Sequence, residues 1–379
     1  MPNPIMLHSG FDGLDISYQT HVPRKLLDVL GLAKLEAAAT RQKTSVTYAG
    51  HSMLVSESGS RGGYTYTVDT GVLGATWFFK ENKSSADTWG VRVSSKSLPL
   101  ALNGAEHVKR QHDAFLTDLG CAWHPTGCRV SRIDYAIDFL LPEFEIEPDL
   151  FICHSRKTKS WSEKEIIGNS NKITGIRIGK MPGAQVVVYD KKKEVLDKKK
   201  KEWWEVWENN SGIKFNKQSP IWRFEFRLGK NTISRHCPLR LWGDAPQWAP
   251  TGLIQTANEC RLVQPGTDTN RSRWPSSALW QTCQAELAKL VFEKTQEPEL
   301  TKRIMDLLKA ERMEGLDRQA LGLLLTSAAG NGCDFEKLPE FIDYTRHQHL
   351  EALENDPDEM KKRLAQKSDI WGTLFPKNC

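Results

Sequence analysis

Three stretches of this chain set groups that could do chemistry into the alternation of a β-strand. In Gln185-Val-Val-Val-Tyr189-Asp-Lys-Lys-Lys-Glu194 a run of valines delivers one tyrosine to the end of a strand, and a lysine cluster follows. Val and Tyr favour a pleated, half-buried surface, and a period of two puts Tyr189 on one face with Val187 and Gln185. In Ser131-Arg-Ile-Asp134-Tyr-Ala-Ile-Asp138-Phe139, Ile133, Tyr135, Ile137 and Phe139 make one face. Arg132, Asp134, Ala136 and Asp138 make the other. In Ile221-Trp-Arg-Phe-Glu225-Phe-Arg-Leu228 the apolar Trp222, Phe224, Phe226 and Leu228 alternate with Arg223, Glu225 and Arg227. An antiparallel sheet with one dry and one wet face gives this pattern without any function. A strand tyrosine is also commonly packed, with its hydroxyl on some partner. Yet wet faces usually carry Thr, Lys and Ser, and Asp is depleted in strands. A tyrosine, carboxylates able to hold a hard divalent cation, and arginines able to clamp phosphate are together the parts of a phosphodiester-transfer site.

The elements that must position these groups read as follows. Residues 11–18 alternate like an opening strand, and a helix is expected over 23–42. Short strands are expected at 45–56, 63–69, 74–80 and 89–96, between Gly- and Ser-rich turns. Trp77-Phe-Phe-Lys80 suits core packing better than nucleobase stacking. A second helix over Gly104–Leu119 precedes the first acidic strand at 129–141. Residues 142–165 read as a connection, Ile173–Gly179 as a strand, and Lys180-Met-Pro-Gly183 as the turn before the tyrosine strand. Lys191–Glu208 reads as one helix, with Trp203, Trp204 and Trp207 docking it on the sheet. From about Leu279 onward the pattern is helical. The expected fold is α+β: a large, curved, mainly antiparallel sheet with helices on one face and an acidic and basic groove on the other. Residues 1–280 would form the main domain and 281–379 a C-terminal helical region.

At 379 residues, 39% hydrophobic and 26% charged, the chain suits a globular protein with ample core. No apolar run approaches the ~18–20 residues of a membrane span. The N-terminus shows no basic segment with a cleavage site, so cytoplasmic residence is expected. The charge is uneven. Residues 151–200 hold thirteen Lys and Arg against five Asp and Glu, a local +8 in a chain whose total is +5. A basic segment around a candidate nucleophile suits a polyanion channel, and it equally suits a solvated loop. Cys121-x-x-His124-x-x-x-Cys128 has ligand-like spacing that Cys153-His154 could complete, but structural zinc sites usually show paired Cys-x-x-Cys knuckles. Reduced, mostly buried thiols are the better reading of the eight cysteines.

The run Ser-Arg-Ile-Asp-x-Ala-Ile-Asp-Phe, the Tyr-Asp-Lys segment and Trp-Arg-Phe-Glu-Phe-Arg, in that order, resemble the core of replication initiation factors of rolling-circle plasmids, filamentous phages and integrative elements, of the Rep_trans type. The likeness covers roughly the first three-quarters of the chain. It implies a Tyr189 that nicks and rejoins origin DNA, at a hairpin or single-stranded nick site, through a 5′-phosphotyrosyl intermediate. It also implies a homodimer and a superfamily-1 helicase partner. Like that family, the chain lacks a His-hydrophobe-His metal motif, since His347-Gln-His349 has a polar centre. Mg²⁺ or Mn²⁺ is expected on Asp134 and Glu225, with Asp138 and then Asp15 as further oxygen donors. Arg223 and Arg227 would hold phosphate oxygens, and Lys191, Lys192 and Lys193 would track the backbone, with Arg132, Arg177 and Lys180 completing the basic set. A sequence-specific DNA-binding regulator without nicking activity, in which Tyr189 is structural, remains the alternative.

Overall fold

The computed structural model describes residues 4–81, 88–153, 161, 163–169, 172–214 and 218–376. His154, the residue that could have completed a zinc cluster, lies outside them. The chain opens with β1 (Ile5–Tyr18) and α1 (Arg24–Thr40). The expected strand at 45–56 is instead a hairpin of β2 (Thr44–Tyr48) and β3 (His51–Val55). Ala49 and Gly50 form its two-residue turn, both at positive φ, a backbone that matches the strand twist. Next come β4 (Tyr66–Asp69), β5 (Ala75–Phe79) and β6 (Val91–Ser95). α2 (Ser97–Asp118) begins earlier than expected. Gly104 kinks it at φ 76°, and a Cβ there would meet the backbone of Phe292 and Lys294 at 3.0 Å.

β7 (Cys128–Leu140) carries the first acidic pattern, and β8 (Phe151–Cys153) follows. β9 (Lys164–Asn169) occupies part of the expected connection, ahead of β10 (Lys172–Gly179) and β11 (Ala184–Asp190). The single helix expected at 191–208 is two, α3 (Lys191–Asp197) and α4 (Glu202–Ser211), with Lys199 left-handed at φ 53° between them. β12 (Ile221–Gly229) carries the second acidic pattern. It is followed by α5 (Lys230–His236), α6 (Ala245–Glu259), β13 (Cys260–Leu262) and α7 (Ala278–Ala288). α8 (Pro298–Gly330), α9 (Leu338–Asn355) and α10 (Pro357–Leu374) complete the helical C-terminal region.

Eleven strands form one antiparallel sheet in the order β2-β3-β4-β5-β6-β1-β7-β12-β11-β10-β9, and β13 pairs with β8 apart from it. The long β1 joins the halves: it pairs with β6 through Leu14–Tyr18 and with β7 along its whole length. The alternation in β7 and β12 sends Ile133, Ile137, Phe139, Phe224 and Phe226 into the main core, beneath Trp248 of α6 and Trp280 of α7. Trp77 and Phe79 also point into this core, as expected for that segment, whereas Phe78 faces outward. Trp280, Cys283 and Leu287 of α7 belong to the same core, so the expected boundary at residue 280 falls inside a packed helix.

The opposite face is not the open groove that the alternation suggests. Trp203, Trp204 and Trp207 of α4 pack there with Leu7, Ile221 and Ile304. Asp138 and Arg223 are fully buried, and Glu225 is 1% exposed. Alternation reports which side chains share a face, and it is blind to a helix that later covers that face.

His112 on α2 is buried against Trp77, and its Nδ1 has no partner. Burial, with the Lys109 charge, pushes its pKa from 6.5 down to about 3. The unfolded chain therefore takes up a proton that the folded protein refuses. The stability tied to a neutral His112 is whole above pH 6.5 and is lost as the pH falls toward 3, at up to about 1.4 kcal/mol per pH unit. His112→Gln is expected to remove one proton's worth of that slope in unfolding measured across pH. Equal slopes in both proteins would refute it.

Candidate active site

Adjacent strands β1, β7, β12, β11 and β10 align the side chains in rows. One row reads His8, Asp138, Arg223, Tyr189, Gly175. The next reads Gly10, Ala136, Glu225, Val187, Arg177, and a third reads Gly13, Asp134, Arg227, Gln185, Gly179. Tyr189, Glu225 and Asp134 thus share one face on three neighbouring strands. Tyr189 ends β11, and the Asp190 side chain accepts a hydrogen bond from the Lys193 amide at 2.8 Å, starting α3 directly after it. Gly175 lies beside the tyrosine, where a Cβ would stand 3.1 Å from Tyr189 Cβ.

Arg223 dominates the first row. Its Nε and Nη2 donate to both oxygens of Asp138 at 2.7 Å, and its Nη1 donates to Asp12 at 2.5 Å. Its guanidinium lies 4.4 Å from the Trp203 ring centroid, and Trp207 Nε1 donates to Asp138 at 2.8 Å. Burial alone would raise the Asp138 pKa, but the Arg223 charge and hydrogen bonds reverse this and hold it below the usual carboxylate range. Both Asp138 oxygens are therefore engaged, and so are all three guanidinium nitrogens. Two expected roles do not fit this geometry: Asp138 has no oxygen turned to a metal, and the fully buried Arg223 has no edge turned to phosphate.

The third row behaves differently. Arg132 donates to both oxygens of Asp134, Nε to Oδ1 at 2.9 Å and Nη2 to Oδ2 at 2.5 Å, and Arg227 Nε donates to Glu225 at 2.7 Å. Burial pushes Asp134 up, the Glu225 charge adds to this, and the flanking arginines only partly offset it, leaving its pKa at about 7. Asp134 packs directly against Gly13, where a Cβ would stand 2.7 Å from Oδ2. Among the described residues no group of three or more His, Cys, Asp and Glu is gathered for a metal ion. Mg²⁺, however, is often held by one or two carboxylates plus substrate phosphates. A cation drawing on both Glu225 and Asp134 would have to replace Arg132 at an Asp134 oxygen.

Tyr189 is half-buried, and its hydroxyl makes no hydrogen bond among the described residues. Burial raises its pKa well above 10; Arg223 opposes this, while Glu225 and Asp12 add to it. The hydroxyl is thus within electrostatic reach of Glu225 and Asp12.

No protein-family model matches the chain, and no curated protein matches it. Among solved structures it is similar to a rolling circle replication initiator protein from Geobacillus stearothermophilus. The likeness has a TM-score of 0.44 and 16% identity, over 76% of this chain and 99% of that one. Similarity at this level assigns neither a residue role nor an activity.

The expected basic set is largely neutralised within the protein. Lys191 is buried and paired with Glu194, Lys193 meets Asp197 at 2.7 Å, and Lys192 donates to the Gln218 carbonyl at 2.6 Å. Arg177 meets Glu165 at 2.5 Å and Lys180 meets Glu163 at 2.6 Å. Cys121 and Cys128 are buried free thiols, and His124 bonds locally to Thr126.

Asp12 is the residue that sequence reasoning missed in favour of Asp15, which stands opposite Arg132 instead. A register shift between Phe11 and Gly13 swings Asp12 toward Arg223. Gly13 inside a strand pattern was the available signal, because an isolated strand glycine often marks a bulge.

Removing one partner of a buried ion pair leaves an uncompensated charge, typically at a cost of about 3–5 kcal/mol. Asp138→Asn is expected to lower the urea-unfolding free energy by about 3 kcal/mol, and Arg223→Met with Asp138→Leu to recover much of the loss. A loss below about 1 kcal/mol in Asp138→Asn would mean that Asp12 alone balances Arg223.

Proposed function

We propose that this protein is a DNA strand nicking-joining enzyme that initiates rolling-circle replication, with Tyr189 as its nucleophile. The three-motif resemblance suggests the role. The observation that carries it is the register that aligns Tyr189 with Glu225 and Asp134 on one face while its hydroxyl, among the described residues, makes no hydrogen bond. The phenolic oxygen would attack a phosphorus of origin DNA, forming a 5′-phosphotyrosyl bond and releasing a 3′-OH. Its proton must leave as that bond forms, and the adjacent Arg223 charge favours the departing state. Because the phosphodiester energy is conserved in the covalent bond, the strand can be rejoined without a nucleotide cofactor. Asp134 and Glu225 would hold a Mg²⁺ or Mn²⁺ ion, which when bound would neutralise charge on the phosphate. Arg227, 20% exposed at its side chain, is better placed for phosphate than Arg223.

The resemblance also suggests a homodimer and a superfamily-1 helicase partner. α9, in which no residue is buried, offers surface for such contacts. The regulator reading is favoured by one observation: burial holds Tyr189 strongly protonated.

Tyr189→Phe removes one oxygen and keeps the ring. It is expected to retain fold and DNA affinity while losing nicking and the covalent adduct, which in the wild type should map to Tyr189 among the seven tyrosines. An adduct formed by Tyr189→Phe would end the mechanism, and a wild type that binds origin DNA without any adduct would leave the regulator.

Asp134→Asn and Glu225→Gln are each expected to abolish divalent-dependent cleavage. In the wild type, Mg²⁺ or Mn²⁺ should raise the thermal midpoint at pH 8, and neither variant should show that rise. Unchanged cleavage and an unchanged midpoint shift in both variants would exclude these ligands.

A further inference from the structure

We propose that the outward face of β5, β6 and β1 is a platform for single-stranded DNA, with the Arg92–Phe78 and Arg129–Trp89 pairs as its contact points. The proposal rests on the nicking-joining reading and extends it to the path of the strand. Register aligns Phe78, Arg92, Ser17 and Arg129 in one row across four strands. The neighbouring row is Thr76, Ser94, Asp15 and Arg132, and Arg132 leads directly to Asp134. All of these side chains are half-buried, on the face turned away from the main core.

Charge pairing separates this face from the site. Arg132, Arg223, Arg227, Lys191 and Lys193 each meet a carboxylate. Among the described residues Arg92 and Arg129 meet none, and the Nε of each is buried without a hydrogen-bond partner. Arg92 reaches Ser60 Oγ at 3.4 Å, a weak neutral contact. Arg240 adds a further cation beside Arg129, since the Val130 amide bonds the Arg240 carbonyl at 2.8 Å and Arg129 bridges Leu241. Of the acids on this face, Asp69 is taken up by Lys43 and Lys96, and Asp15 stands opposite Arg132. Neighbouring guanidiniums without counter-ions repel, and a polyanion removes that cost.

Each free arginine also lies over an aromatic ring. Arg92 sits 4.1 Å from the Phe78 centroid and 5.1 Å from that of Tyr64, and Arg129 sits 4.6 Å from that of Trp89. A guanidinium held over a ring can stack on a base and donate to phosphate at its edge, which is how sequence-tolerant single-strand binders combine stacking with charge. From Arg129 along β7 to the row of Tyr189 is nine residues, roughly 30 Å at ~3.3 Å per residue. That is room for several nucleotides leading to the site.

The test is fluorescence anisotropy of the full-length protein with a fluorescein-labelled oligo(dT) of about 15 nucleotides, repeated over a range of salt. Arg92→Gln with Arg129→Gln is expected to weaken binding about tenfold or more and to flatten the slope of log K on log[salt] by about 1.4, two phosphates at ~0.7 each. Arg92→Lys with Arg129→Lys should restore the slope and only part of the affinity. Phe78→Leu should lower affinity several-fold and leave the slope alone. Circular dichroism and the unfolding midpoint, unchanged in each variant, exclude misfolding. Equal affinity and slope in the wild type and the double Gln variant would overturn the platform while leaving nicking intact. Oligonucleotide binding that depends on Arg92 and Arg129, with origin DNA giving no adduct at Tyr189, would support the platform and overturn the nicking reading. A wild type that binds no oligonucleotide would likewise overturn the platform.

Discussion

A guanidinium buried without any exposure, at Arg223, sets the terms for the centre of this protein. Moving a charge out of water costs several kcal/mol unless counter-charges and hydrogen bonds meet it in good geometry. Here Asp138 arrives from β7 and Asp12 from β1, so three neighbouring strands are locked in one register by a single residue. Trp207 and Trp203 close over the group, which ties α4 to the same point. Tyr189 is opposite Arg223 on β11, so its position follows from the network even though it makes none of these bonds.

Two aspartates of one strand face show how environment divides similar residues. Asp138 and Asp134 lie four positions apart on β7. Asp138 is met by two nitrogens of Arg223 and by Trp207 Nε1, and it stays ionised. Asp134 shares its surroundings with Glu225, and burial with that second charge brings it to about pH 7. The first arrangement holds the sheet together. The second stores electrostatic repulsion that a cation would relieve.

The placement of cations follows the same logic. Most lysines and arginines near the tyrosine are bound by acids of the same chain, largely from their own helix or hairpin, as Lys193 is by Asp197 and Arg177 by Glu165. Paired cations fix the local fold and contribute little net field. The unneutralised arginines lie instead on the other half of the sheet, resting on rings. A count of basic residues along the chain marks 151–200 as the richest segment, but affinity for a polyanion depends on which charges remain uncompensated.

The α+β class, the large antiparallel sheet, the helical C-terminal region and the sharing of faces along β7, β11 and β12 were all legible in the sequence. Alternation with period two is a local property of the backbone, and it needs no knowledge of the fold. The tryptophans at 203, 204 and 207 likewise announced a docked helix through their spacing. Which face of the sheet they cover could not be read, because burial of a face depends on a segment many residues away. For the same reason the wet face of β12 became an interior at Arg223 while remaining partly open at Arg227. Asp12 entered through a bulge, and one extra residue in a strand changes which side chain turns inward without changing composition. Sequence by itself determined which groups could stand together, through strand periodicity. Tertiary structure alone decided which of them were consumed by partners, because charge pairing and burial are set by strand order and helix docking across the whole chain.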